Sequence, residues 1–243
     1  MNSPKVIVVA HRGFSGRYPE NTALALIRAV ELGVEMVEFD VHLTSDGVGV
    51  VIHDSAVDRT SDGSGAIADL TWDQIKSFDA GSWMGAEHAG QRFITIDDAL
   101  ELVPEPVRLN VHIKASDDDR SEVVSLVISS LNLSGSLSRS FIASDQKTIV
   151  CAKSIEPQVA VCNLSTDPED SYIERSIEVG CTVFQPKNHQ TDAAFCTEAH
   201  RHGLEVNPFY ADDEQEMRRL INCGVDGILT NHPDRLIAVR DSM

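Results

Sequence analysis

Strand side chains alternate between two faces, so residues two apart share a face. Over Met36–Val41 this sets Glu38 and Asp40 together, with Val37, Phe39 and Val41 opposite. Over Arg108–Ile113 it aligns Asn110 with His112 and, just beyond, Lys114, against Leu109, Val111 and Ile113. His11 ends the apolar run Lys5–Ala10 and leads into Arg12 and Gly13. Imidazole, paired carboxylates, and a second imidazole with an ammonium thus gather at the ends of three strands. Bringing such groups together costs stability, and binding a ligand would justify the cost. Polar residues also cap strands and satisfy loop backbone, so no single member of the set is specific.

The elements that must carry these residues alternate. Strand-like runs fall at Lys5–Ala10, Met36–Val41, Arg108–Ile113, Ser140–Ser144, Gln158–Asn163, Thr182–Gln185, Leu204–Pro208 and Gly227–Thr230. Helical patterns lie between them at Ala23–Leu32, Ser121–Leu131, Asp170–Val179, Asp192–His202, Glu214–Cys223 and Pro233–Val239. Gly33, Gly180, Gly203 and Gly224 each follow a helical pattern, where a left-handed C-terminal cap belongs. Alternating strands and helices mean parallel βαβ units, and eight such strands predict a (β/α)8 TIM barrel. Barrel sites form at the C-terminal ends of the strands, which is where the polar groups fall.

One segment breaks the alternation. Asp46-Gly47 between β-rich runs, the second being Val48–His53, predicts a hairpin. Asp54–Ile96 then reads as loop with one helix near Trp72–Phe78, so a small inserted segment of about residues 44–96 follows the second strand. It is expected to lie over the catalytic end, within a single barrel domain spanning 1–243. Asp117–Asp119 reads as the solvated start of a helix, and Asn21, ahead of Ala23–Leu32, as its N-cap.

Composition narrows the classes. The chain has 243 residues, 42% of them hydrophobic, and a net charge of −18. That excludes a disordered chain, a nucleic-acid-coating protein and a polybasic membrane anchor. No run approaches the ~20 apolar residues of a membrane span, and the N-terminus lacks a signal-peptide pattern. Five scattered cysteines without a C-x-x-C pair fit a reducing compartment, so a cytoplasmic location is expected.

Taken in order, His11-Arg12-Gly13, Pro19-Glu20-Asn21-Thr22, Glu38-Phe39-Asp40-Val41, Asp46-Gly47 with Val51-Ile52-His53-Asp54, and Asp58-Arg59-Thr60 resemble the glycerophosphodiester phosphodiesterases. The likeness continues through Leu109–Lys114 to Gly224–Ile228 and Thr230–Asp234, covering essentially the whole chain. Each motif alone is weak; the ordered set is specific. The resemblance implies a barrel with an insertion after the second strand. It also implies metal-dependent hydrolysis of a glycerophosphodiester to glycerol 3-phosphate and an alcohol, within lipid and glycerol metabolism.

Carried over by position, His11 and His53 are the acid–base pair, with His53 expected as base and His11 as acid. Glu38 and Asp40 are metal ligands, and Arg12 grips the phosphate. Positive charge from a cation, Arg12 and Lys114 would offset the anion that develops on the phosphoryl oxygens. Lys114 also reads as a structural partner of Glu38 or Asp40, a role that still leaves it close to the metal. Glu20 either supports the site by hydrogen bonds or water-mediated metal contact, or is structural. Among the other histidines only His42, in phase with Asp40, is kept as a supporting residue.

Three positions depart from the family pattern. His112 stands where a glutamate ligand is usual, and imidazole suits Mn2+ or Zn2+ better than Mg2+ or Ca2+. Mg2+ or Ca2+ remains the expected ion by resemblance, with His112 as a ligand, outside the sphere, or weakening the site. On the seventh strand Phe209 keeps an aromatic wall for the substrate, while Asp212 replaces an Asn. In the last motif Asn231 replaces an Asp. The alternatives are a phosphodiesterase acting on lysophospholipids or sugar phosphodiesters, and a catalytically weak phosphoester-binding barrel. The partner expected is a small-molecule phosphodiester, with no nucleic acid and no stable membrane insertion; oligomeric state is left open.

Overall fold

A computed structural model of the chain describes residues 6–164 and 172–243. Lys5 of the first expected strand and Asp170 of the helix Asp170–Val179 lie outside the described residues. The strands are β1 (Ile7–His11), β2 (Met36–Leu43), β3 (Gly49–Val51), β4 (Arg108–Ile113), β5 (Ser140–Ser144), β6 (Ala160–Asn163), β7 (Val183–Phe184), β8 (Glu205–Val206) and β9 (Gly227–Thr230). Parallel pairing runs in the order β6-β5-β4-β2-β1-β9, and β7 pairs with β8. Backbone bonds join the two sets: Thr182 N–H donates to Val161 O at 3.2 Å, and Asp226 N–H to Val206 O at 2.9 Å. The parallel strands therefore curl into the (β/α)8 barrel, with β3 outside it as an antiparallel neighbour of β2.

The helices are α1 (Ala23–Leu32), α2 (Trp72–Ile75), α3 (Ile96–Leu102), α4 (Arg120–Leu133), α5 (Gln146–Ile155), α6 (Tyr172–Glu178), α7 (Ala193–Arg201), α8 (Glu214–Cys223) and α9 (Pro233–Asp241). Two of them escape the sequence reading. At α3, Thr95 Oγ1 accepts from Asp98 N–H while Asp98 Oδ2 accepts from Thr95 N–H, a reciprocal cap. At α5, Asp145 accepts from Thr148 N–H. The caps are visible in sequence, and behind the first of them Ile96, Ala99, Leu100 and Val103 keep helical spacing. Strands β7 and β8 are shorter than expected because their ends leave the regular ladder while still bonding, as Asn207 N–H does to Phe184 O at 2.8 Å.

Alternation along the strands separates two cores. Val8, Val37, Val111, Ile142 and Val161 face outward and pack with Leu26, Leu131 and Leu236 of the helices. Val9, Met36, Phe141, Ala143, Cys162, Val183 and Leu229 fill the bore. At the N-terminal end Arg108 of β4 makes a two-pronged pair with Glu205 of β8, at 2.9 and 3.0 Å. Asn207 Nδ2 donates to the same carboxylate at 2.8 Å. The bore is thus closed below by a polar cluster and apolar between it and the mouth.

The inserted segment has its own core of Val50, Ile52, Val57, Ile67, Ile75, Ala80 and Phe93. Its hairpin forms as expected, with Thr44 N–H donating to Val48 O at 2.9 Å and Gly47 at φ 79°. Asp79 organises its far loop by accepting from Gly81 N–H, Ser82 N–H and Gly90 N–H at 2.7–2.8 Å. Asp119 caps no amide of α4; it accepts instead from Ser116 at the preceding turn.

One expectation is corrected. Thr22, not Asn21, caps α1: Thr22 Oγ1 accepts from Ala25 N–H at 3.3 Å and donates to Pro19 O at 2.7 Å. Asn21 adopts a left-handed backbone at φ 57° and turns its amide away from the helix toward Asp40. Asparagine tolerates that conformation better than most side chains.

Candidate active site

A cleft of about 470 Å³ opens at the C-terminal end of the bore, bounded by His11, Arg12, Glu38, Asp40, His53 and His112, among others. Lys114 and Phe209 line the same space. Strand phase delivers the acids: Glu38 and Asp40 point inward from β2, while His112 and Lys114 reach in from β4 and its end. The turn after β1 bends sharply enough to bring Arg12 back over them. Gly13 sits at φ 77°, and a Cβ there would lie 2.6 Å from the Ala25 carbonyl carbon. Arg12 itself is held at φ 55°, a strained backbone of the kind found at functional sites.

Asp40 is the hub. His112 Nδ1 and Lys114 Nζ lie 3.1 and 3.2 Å from Asp40 Oδ1, and Arg12 Nε lies 3.5 Å from Oδ2. Asn21 Nδ2 donates to Oδ2 at 3.0 Å. Burial disfavours the Asp40 carboxylate, but His112, Lys114 and Arg12 more than offset this and hold it well below the usual carboxylate range. Glu38 lacks such support. Burial, reinforced by the Asp40 charge, pushes its carboxyl up to about 8, although Arg12 N–H donates to Oε2 at 2.8 Å.

Glu38, Asp40 and His112 offer ligand atoms within 4.8 Å of one another. Asp40 Oδ1 is buried without a well-directed hydrogen-bond donor, despite the cations beside it. A buried carboxylate forced toward its neutral form and an unsatisfied oxygen beside it are what a divalent cation would relieve. The donor set of two carboxylates and one imidazole fits such an ion.

The two histidines stand on different supports. His11 Nδ1 meets Asn231 Oδ1 at 2.8 Å, its ring stacks on Tyr210 at 5.5 Å, and its Nε2 lies 3.9 Å from Glu38 Oε2. Burial and then the Arg12 charge hold its pKa down to about 4. His53 is a third exposed, and its Nδ1 lies 2.6 Å from Asp54 Oδ1. His42 Nε2–H donates to the His53 carbonyl at 3.1 Å, steadying the end of the hairpin. Glu20 binds neither histidine; its oxygens accept from Arg12 at 2.8 Å and from Arg59 at 2.7 and 3.0 Å.

Sequence reasoning did not single out several residues that complete the site. Arg59 donates to Asp54 as well as Glu20, so the inserted segment is tied to both His53 and Arg12. Asp54 and Arg59 lay within motifs that were noted, but not as partners. Tyr210 and Gln185 also border the cleft and carried no such signal, whereas Asn110, aligned with His112 by alternation along β4, lines it as that face implies.

The barrel mouth thus gathers the histidines, the Glu38 and Asp40 carboxylates and the cationic side chains of Arg12 and Lys114 around one cleft. Residues 11–235 match the glycerophosphoryl diester phosphodiesterase family, and the chain belongs to that family, as a phosphoric diester hydrolase. It is 32% identical over 235 residues to a glycerophosphodiester phosphodiesterase of Caldanaerobacter subterraneus subsp. tengcongensis, covering 96% of this chain and 97% of that one. A glycerophosphodiester phosphodiesterase of Bacillus altitudinis is 28% identical, with 97% and 98% covered. Among solved structures, an Oleispira antarctica phosphodiesterase in complex with its product sn-glycerol-3-phosphate superposes with a TM-score of 0.90. That pair is 28% identical and covers 97% and 96% of the two chains. Among the described residues, no helix is long and apolar enough to cross a membrane.

Proposed function

We propose that the protein, as one barrel domain, hydrolyses glycerophosphodiesters to glycerol 3-phosphate and an alcohol, using a divalent cation held by Glu38, Asp40 and His112. The observation that carries this reading is the convergence of both histidines, the acid pair and two cationic side chains on one cleft. Arg12 and Lys114 flank the acids and offset the charge of the substrate's phosphoryl oxygens, and Phe209 provides an apolar wall. His11 and His53 form the acid–base pair: one takes the proton of the neighbouring glycerol hydroxyl as its oxygen bonds phosphorus, the other protonates the departing ester oxygen, and water then opens the cyclic phosphate to glycerol 3-phosphate. The bound cation supplies Lewis-acid stabilisation of the phosphoryl oxygens. Mg2+ or Ca2+ is assigned by kinship, and the imidazole of His112 brings Mn2+ and Zn2+ into the comparison.

Purified protein stripped of metal and resupplied with Mg2+, Ca2+, Mn2+ or Zn2+ in turn, then assayed on glycerophosphodiesters and lysophospholipids, tests this. Glycerol 3-phosphate release restored by at least one ion is the expected result. Silence with every ion would leave only a phosphoester-binding barrel, and a lysophosphatidic product would move the substrate to lysophospholipids. The free cysteines, three of them buried, support the cytoplasmic assignment.

A further inference from the structure

The two departures from the family pattern near the barrel mouth meet in space. Asn231 Nδ2 donates to Asp212 Oδ2 at 2.7 Å, and Asp212 Oδ1 accepts from Asn231 N–H at 2.8 Å and Thr230 Oγ1 at 3.0 Å. A carboxylate only accepts, so the Asn231 atom turned to Asp212 must be its NH2 group. Its oxygen then faces the other way, toward Ser15 Oγ and His11 Nδ1, each 2.8 Å distant. An amide oxygen only accepts, so His11 must carry a proton on Nδ1.

We infer that Asn231, oriented by Asp212, is a positioning residue that locks His11 as the Nδ1–H tautomer and leaves Nε2 as the atom that exchanges the reaction's proton. This rests on the reading of His11 as one of the acid–base pair. The two histidines differ in their supports: His53 Nδ1 meets the Asp54 carboxylate, whereas His11 Nδ1 meets a neutral amide. His11 Nε2 points to the cleft, 3.9 Å from Glu38.

The backbone is shaped to hold this relay. Gly16 N–H donates to Asn231 O at 2.7 Å, drawing the turn after β1 against the turn after β9. A Cβ on Gly16 would lie 2.5 Å from that oxygen and 2.4 Å from the His232 ring, so only glycine permits the approach. Tyr210 covers the ring of His11 on one face.

The tautomer can be read without turnover, which separates failure of this inference from failure of the proposed function. Histidine-labelled protein with Mg2+ at pH 7.5 gives 15N shifts for each ring, with His11→Gln assigning the resonance. A proton on Nδ1 and a bare Nε2 are expected for His11. Asn231→Leu should mix the tautomers and lower kcat at least tenfold on a glycerophosphodiester while KM stays near its wild-type value. Asp212→Asn, which frees Asn231 to turn over, should show the same tautomer mixing with a smaller loss. An Nε2-bound proton in the wild type overturns the inference, as does an Asn231→Leu enzyme with undiminished kcat. Should Asn231→Leu fail to fold, the wild-type spectrum and Asp212→Asn still decide.

Discussion

The ring of His11 meets Asn231 and Tyr210 at the barrel mouth, apart from both apolar cores. His11→Ala is expected to keep the wild-type circular dichroism spectrum while turnover falls at least ~100-fold, the usual yield of a positioned acid or base. Thr22→Ala separates cap from site. It should cost about 1 kcal/mol in denaturant unfolding, the ordinary value of an N-cap, with little change in kcat. His11, Glu38, Asp40, His112 and Lys114 were legible from sequence because strand alternation alone decides which way they face. Asn21 was not, since its backbone angle depends on the turn that seats Arg12. The Asn231–His11 contact was equally hidden: it joins residues 220 positions apart, across two turns whose meeting no local pattern records.

Among elements, the inserted segment has only short helices, and side chain-to-backbone bonds shape its far loop. Asp79 receives the amides of Ser82, Gly90 and Gly81, and these hold its carboxyl below the usual range. A depressed carboxyl contributes stability that is present above its unfolded value, near ~3.9, and lost as pH falls through the folded value. Asp79→Asn should therefore lower the thermal midpoint at pH 7, and the gap from wild type should narrow as melts are repeated toward pH 3. A gap that stays constant with pH would deny the carboxylate this role. The hairpin of the segment was readable from Asp46-Gly47, and most barrel strands from β-branched runs. Helices α3 and α5 were not, although Ile96, Ala99, Leu100 and Val103 keep helical spacing and Thr95 and Asp145 announce the two starts. Later strands were placed correctly but drawn too long, since ladder bonding stops before the β-rich composition does.

For the molecule as a whole, the Arg108–Glu205 pair spans the barrel at the end away from the chemistry. Both side chains are partly solvated, so Arg108→Met should cost about 1–3 kcal/mol of unfolding free energy, measured in urea, and leave kcat unchanged. Barrel architecture was legible from the alternation of elements; the crossing pair was not, because it links opposite strands rather than neighbours. The same plug has a kinetic consequence. With Met36, Phe141 and Leu229 stacked above it, the bore is a well without a back door, and every molecule that enters must leave by the way it came. A spent glycerol phosphate still seated in the mouth would keep the next diester out. Inhibition by glycerol 3-phosphate should accordingly be competitive in initial-rate measurements, raising KM and leaving kcat untouched.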